Sequence, residues 1–455
     1  MTDATAGGVA RPPMDQGKHS GSLLTQTALM RKRNAAEWRF KAYGIAAIAI
    51  SLATLGIMLW TIIGDGVSSF FQAKLTFPTE LSADVLDPSG NRSRDEMTKV
   101  TTVGYSKVLT TAFLAELTRQ NIAVEGVSDK DIAALISKDA AGALRAQILA
   151  NPELVGTTID TTVLAGGRID GFLKGRVTMA TAERDSNVTP EQLQLAQKLQ
   201  AAGLLKSAFN WDFLTNPDAS DQRPEAAGLG VAILGSAYMM LIVLVTCVPV
   251  GVAASIYLEE FAPKNVWTDI VEVNISNLAA VPSIVFGILG LALFINFAGF
   301  PQSSSLVGAL VLSLMTLPTI IIATRASIRA VPPSIRDAAL GVGASKMQTV
   351  FHHVLPLAMP GILTGTILGL ASALGETAPL LLIGMVAFVD NYPSAPVEGF
   401  LDPATALPVQ VYGWAQRADP AFIERSSGAI IVLMIFLVVM NVAAILLRRR
   451  FERRW

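Results

Sequence analysis

The chain of 455 residues is 51% hydrophobic and only 16% charged, with a formal net charge of -1 and a mean hydropathy of +0.48. Soluble domains are about a quarter charged, so this composition indicates a membrane protein, and the near-neutral balance gives no case for nucleic acid as a partner. The single cysteine, Cys247, excludes an intrachain disulfide, and the three histidines, His19, His352 and His353, are too few and too scattered for a metal site.

Residues 1–36 are rich in Gly, Pro, Ser and Thr, without helical periodicity until about Leu24, and residues 1–41 are expected to be a cytoplasmic tail. The cluster Arg31, Lys32, Arg33, Arg39 and Lys41 precedes an apolar run from Ala42 to Ile63. That run exceeds a signal-peptide core and reaches the roughly 20 residues a spanning helix needs. A first transmembrane helix is therefore expected at 42–64, with its N-terminus held in the cytoplasm by the basic cluster.

Residues 66–225 change character, with charges of both signs, turn pairs and no spanning run. Ser128 followed by Asp131, and Thr189 followed by Pro190 and Gln192, are helix-start patterns. The segments LSADVLD and GFLKGRVTMA are expected as weak strands. A small α+β insert results, placed outside the cytoplasm because it follows the first span. Its carboxylates are expected on solvated faces.

Further spans are expected at about 229–257, 270–297, 306–324, 357–389 and 427–447, which with the first makes six. Arg325, Arg329, Arg336 and Lys346 place the loop 325–356 in the cytoplasm. The connection near Gly299–Ser304 has no Lys or Arg and falls outside, as does 390–424, where Arg417 and Arg425 are a mild counter-signal. The basic tail 448–455, RRRFERRW, returns the C-terminus to the cytoplasm. The fold class is an all-α polytopic membrane protein: six transmembrane helices, five of them in a core at 229–447, with the extracytoplasmic α+β insert between helices 1 and 2.

Two features stand out in the core. In the cytoplasmic loop, Pro332 and Pro333 disfavour helix before them, Ser334 can cap IRDAALG, Gly341 and Gly343 weaken that helix, Ser345 can cap a second, and Pro356 is expected to end it. This helix–bend–helix is either a solvated linker or a docking surface. The other feature is Glu376, a carboxylate inside an apolar segment, where a charge costs about 2.5–3.5 kcal/mol and faces a cavity or partner. It is either a structural anchor or part of a pathway. Asn274, Asn277, Pro282 and Ser283 interrupt the third span, by a kink for packing or for a pathway. GVGASKM (341–347) is not a phosphate-binding loop: Ser345 stands where glycine is needed and Met347 where a hydroxyl is.

Asp337-Ala338-Ala339, then Gly343, then Leu355-Pro356, resembles the EAA loop of ABC importer permeases, with Asp337 for the usual Glu and His353 at a usually apolar position. ISNLAAVPSIVFGILGL (275–291), SALGETAPLLLIG (372–384) and TALPVQVYGWA (405–415) are together similar to phosphate-specific permeases of the PstA type. The resemblance covers roughly 229–447. It implies a permease subunit that imports inorganic phosphate in the bacterial inner membrane, performs no covalent chemistry and binds no cofactor or metal of its own. ATP and Mg would be used by a pair of partner ATPase subunits docked on Asp337, Ala338, Ala339, Gly343, Leu355 and Pro356. Further implied partners are a second permease subunit, a periplasmic phosphate-binding protein and membrane lipid. Glu376 and Thr377, with Asn277 and Ser283, would line the pathway. Relatives carry an arginine four residues before this Glu; here Ser372 stands there, so the pairing cation must come from Arg325 or from the partner permease. An importer for another oxyanion such as sulfate or molybdate, and a membrane sensor or scaffold acting through the insert, are the alternatives.

Overall fold

The computed structural model describes residues 28–385, 388–394 and 398–451. Residues 28–61 belong to a unit of their own, the greater part of a helix Ala28–Gly66. It begins within the segment expected as a tail, because Arg31 to Lys41 are good helix formers and Lys41 pairs with Glu37 one turn earlier at 2.7 Å.

The insert is built on a three-stranded antiparallel sheet in the order β2-β1-β3, with β1 Phe71–Glu80, β2 Thr158–Leu164 and β3 Leu205–Phe209. In β1, Ala73, Leu75, Phe77 and Thr79 alternate onto the buried face. The helix Thr102–Arg119 covers that face, with Phe113 against Phe77 at 5.0 Å between ring centroids. Burying each such ring contributes about 1.5–3 kcal/mol. Pro78 is tolerated because Thr76 donates to Leu204 on the β3 side, and two residues on the proline nitrogen faces that same side, beyond the last β3 pairing at Leu75.

Both segments expected as strands are instead largely helical turns, Ala83–Leu86 and Gly167–Leu173. The strands lie elsewhere, including the β-branched run TIDTTVL. The Ser128–Asp131 and Thr189–Gln192 capping boxes both form. The second helix ends at Ala201, and its expected continuation becomes β3.

Carboxylates at the root of the insert are buried rather than solvated. Lys174 bridges Asp170 at 2.8 Å and Glu424 at 2.9 Å, and Arg176 meets Glu424 at 2.6 Å. Arg425, 4% exposed, donates to the carbonyls of Ala227 at 2.6 Å and Glu225 at 2.8 Å and to Gln72 at 3.0 Å. Asp218 accepts from Trp414 Nε1 at 2.9 Å and from Arg417 at 2.7 Å. The two arginines that count against an outside placement thus close the joint between insert and core.

In the core, helices Gly230–Ile256, Ser305–Arg329, Lys346–Gly375 and Pro420–Arg450, like the first helix, are long and apolar enough to cross a membrane. The third expected span is not one helix. Val266–Ala279 and Ser283–Phe297 meet at 103°, because Pro282 adopts an extended conformation that ends the helical path. Among the described residues there are therefore five such helices, or six if the bent pair counts as one span. The fifth span differs at both ends. Pro356 does not end the preceding helix, since a π-helical turn at Thr349–Val354 runs into Leu355–Gly375 and relaxes the hydrogen-bond ladder ahead of the proline. At its far end the helix stops at Gly375, well short of 389. Gly361, Gly365 and Gly369 place a small-residue stripe against Ser327, Ala323 and Thr316 of the fourth-span helix.

Candidate coupling loop and helix breaks

The loop helix is Pro333–Gly341, entered from Pro332 with Pro333 at its first turn. The expected Ser334 cap is not made. At its end, Gly343 N–H donates to Leu340 and Ala344 N–H to Ala339, with Gly343 at φ +88. This is a Schellman ending, and it explains the glycine: the left-handed position penalises a Cβ. Ser345 then forms a capping box with Gln348, at 2.9 and 3.2 Å, and starts the helix that continues as the fifth span.

Asp337 and Ala338 are exposed and Ala339 is buried, while Leu355 and Pro356 are half-buried in the helix that follows. Around the bend the surface is apolar: Val342 is 86% exposed, with Leu340, Met347 and Phe351 also exposed. Buried Ile328, Val331, Val350 and Val354 anchor the loop from behind.

An ionic network ties this loop to three other segments. Arg336 donates to Glu260 through Nη2 at 2.7 Å and Nε at 3.1 Å, and also to the carbonyls of Val331 and Ile328. A cation is favourable there, since the Ile328 carbonyl lies in the last turn of the fourth-span helix and Val331 just beyond its end. Glu259 accepts from Arg329 at 2.7 Å and Arg325 at 3.4 Å, and Arg325 also pairs with Glu272 of the broken span. Lys346 sits over the Phe261 ring, 5.2 Å from its centroid. Glu259, Glu260 and Phe261 form the turn that ends the second span. Sequence reasoning missed Glu259, Glu260, Glu272 and the role of Arg336; the signal was the pair of acids in YLEEF closing an apolar run.

Arg325 is therefore engaged by Glu259 and Glu272, not by Glu376. Glu376 lies at the break that follows Gly375, in an extended conformation and half-buried. Among the described residues its carboxylate has no hydrogen-bond or ion-pair partner. Thr377 precedes the short helix Ala378–Leu382, and its carbonyl accepts from Leu380 and Leu381. The second half of the broken span packs on this short helix: a Cβ at Gly287 would come 2.8 Å from Pro379 Cα. Ser283 opens that half, just after Pro282, whereas Asn277 lies exposed on the other limb of the bend. The two helix breaks thus belong to elements in contact; Asn277 lies in the last turn before the first break, its carbonyl accepting from Ala280 N–H, and Arg325 is held by Glu259 and Glu272.

A chain of the inward-facing MetNI methionine ABC transporter aligns at 16% identity with a TM-score of 0.37, over 50% of this chain and 95% of that one. Residues 247–455 match the family described as binding-protein-dependent transport system inner membrane component, and residues 27–183 match a domain of unknown function, DUF3333. The probable ABC transporter permease protein YqgI of Bacillus subtilis is 32% identical over 249 residues, 52% of this chain and 83% of its own length. Phosphate transport system permease protein PstA 1 of Mycobacterium tuberculosis is 32% identical over 229 residues, 50% of this chain and 72% of its own. PstA of Xylella fastidiosa strain Temecula1 is 32% identical over 228 residues, 50% and 77%. The chain belongs to the PstA-type permeases, multi-pass inner-membrane components of binding-protein-dependent ABC transport systems, and carries an added N-terminal domain and insert.

Proposed function

We propose that this chain is the transmembrane permease subunit of an ATP-driven importer of inorganic phosphate, working beside a second permease, on a pair of ATPase subunits that use ATP and Mg, and receiving cargo from a periplasmic phosphate-binding protein. The observation that carries the reading is the similarity to phosphate permeases, beside a family match at residues 247–455 that takes in the Asp337–Pro356 loop and the Glu376 break. Both termini and that loop lie in the cytoplasm, and the insert lies outside.

The geometry supplies two routes for force from the ATPases. One is direct. From Lys346 to Gly375 the chain is a continuous helical stretch of 30 residues, about 45 Å at 1.5 Å per residue, so a push on the exposed apolar bend is carried toward Glu376 through the π-helical turn at Thr349–Val354. The other runs through Arg336 to Glu260, and through Arg325 and Arg329 to Glu259 and Glu272, turning the second and broken spans with the loop. At the break, Glu376 repels phosphate unless a cation accompanies it. We place that cation on the partner permease, since Arg325 is held elsewhere and Ser372 hydrogen-bonds its own helix at Leu368. The test is uptake of labelled phosphate into proteoliposomes holding the full assembly, with sulfate and molybdate as competitors. Phosphate uptake that needs ATP and resists both competitors is expected; preferential sulfate or molybdate uptake, or none, rejects the reading.

A further inference from the structure

The insert holds a cleft of about 710 Å³ between the helix Thr102–Arg119, the segment following Ala133, the Gly166–Gly167 turn and the residues leading into the second span. That volume suits a small organic molecule and is far too large for a bare ion; among the described residues no cluster suited to a metal occurs. Glu225 is at its floor, 6% exposed. One carboxyl oxygen accepts from Ser137 Oγ at 2.5 Å. The other lies 2.9 Å from where a Cβ on Gly167 would stand, and no hydrogen bond reaches it among the described residues.

Charge decides what the cleft can take. The arginines around it are already matched: Arg168 by Asp185 at 2.9 Å and Asp419 at 3.3 Å, Arg223 by Asp139 at 2.8 Å, and Arg417 by Asp218 and Asp221. Lys138 is exposed. Behind Glu225, Arg425 directs its donors to the carbonyls of Ala227 and Glu225 and to Gln72. The buried carboxyl therefore faces the cleft with the Ser137 hydroxyl as its one side-chain hydrogen-bond partner; burial pushes its proton affinity up, outweighing that bond, its own backbone N–H and the attraction of Arg425 behind it. An incoming cation relieves that burial cost, whereas an oxyanion finds no free cation at the floor.

We propose that this cleft binds a small organic cation, its ammonium or guanidinium group on the Glu225 carboxylate and its apolar body against Leu109, Ile136, Ile169 and Val188. The site is separate from the cargo pathway and joined to the core, because the backbone carrying Glu225 is gripped by Arg425 at the root of the last span. Occupancy of the insert thereby bears on a transmembrane helix.

Calorimetry on the full chain in lipid nanodiscs tests this, using agmatine and putrescine as probes and inorganic phosphate and glycerol as comparators. Saturable amine binding is expected, weakened by at least about tenfold in Glu225→Gln. Ser106→Trp, on the exposed wall of the cleft, leaves the floor intact and is expected to block the amine, so it keeps the test decisive if Glu225→Gln misfolds. No saturable amine binding up to about 10 mM, equal affinity in a folded variant, or phosphate or glycerol binding that Ser106→Trp abolishes would each overturn the proposal.

Discussion

Arg336 and Glu260 are joined by two nitrogens of one guanidinium, at 2.7 and 3.1 Å, while that guanidinium also closes the carbonyl end of the fourth-span helix. A single side chain thus binds the loop helix to two spans. Removing it leaves Glu260 largely buried and without its cation, a cost of about 1–3 kcal/mol at the joint. Arg336→Ala is expected to lower phosphate moved per ATP hydrolysed in the reconstituted assembly, with hydrolysis itself falling less. The measurement is the ratio of the two rates. An unchanged ratio assigns Arg336 to stability alone.

Gly343 tests the loop ending separately. A Cβ there meets nothing within 4 Å, so the cost of a substitution comes from the φ of +88 alone. Alanine in a left-handed position costs about 1–2 kcal/mol, and asparagine tolerates it better. Gly343→Ala is therefore expected to reduce co-purification of the ATPase subunits more than Gly343→Asn does. Equal losses from the two would mean that the bend itself, rather than its handedness, governs docking.

Glu225 gives a pH dependence of known sign. Burial, chiefly, raises its carboxyl above the ordinary glutamate range. Its contribution to stability is complete below that ordinary value and is lost as pH climbs through the raised one. Thermal unfolding of the native chain is expected to weaken across that interval, and Glu225→Gln to flatten the slope there. A slope that survives the substitution must come from another group.

Much of this was legible in the sequence, and most of the failures share a cause. Capping boxes at Ser128, Thr189 and Ser345 are local, made by a side chain and a backbone three residues apart, and all three form. Strands were misplaced because β1 depends on pairing with segments about 85 and 135 residues later, which no local pattern reports. The loop motif was readable, but the partners of Arg325 and Arg336 were not: Glu259, Glu260 and Glu272 lie more than 50 residues away and meet them only when helices pack. Pro282 and Pro356 look alike in sequence and act oppositely. The first breaks a span, and the second is absorbed by the π-helical turn before it. The burial of Arg425 was not legible for the same reason as the strands, since its acceptors lie far away in sequence, in and just after the insert.

Glu376 remains the residue on which the transport reading turns. Its carboxylate is half-buried at a helix break and, among the described residues, unpartnered, though its own N–H donates to the Ala373 carbonyl and the packed pair Gly287–Pro379 lies just beyond it. A charge kept inside an apolar segment without an internal partner needs an external one. Glu376→Gln keeps the shape and removes the charge. It is expected to leave assembly with the second permease intact, as judged by co-purification, and to lower phosphate uptake at least about tenfold, the effect of losing some 1.4 kcal/mol at the pathway. Glu376→Asp, which keeps the charge on a shorter stem, is expected to retain more uptake than Gln. Native uptake by a correctly assembled Glu376→Gln transporter would show that this carboxylate only anchors the break, and the pathway would then have to be sought along Ser283 and Thr377 instead.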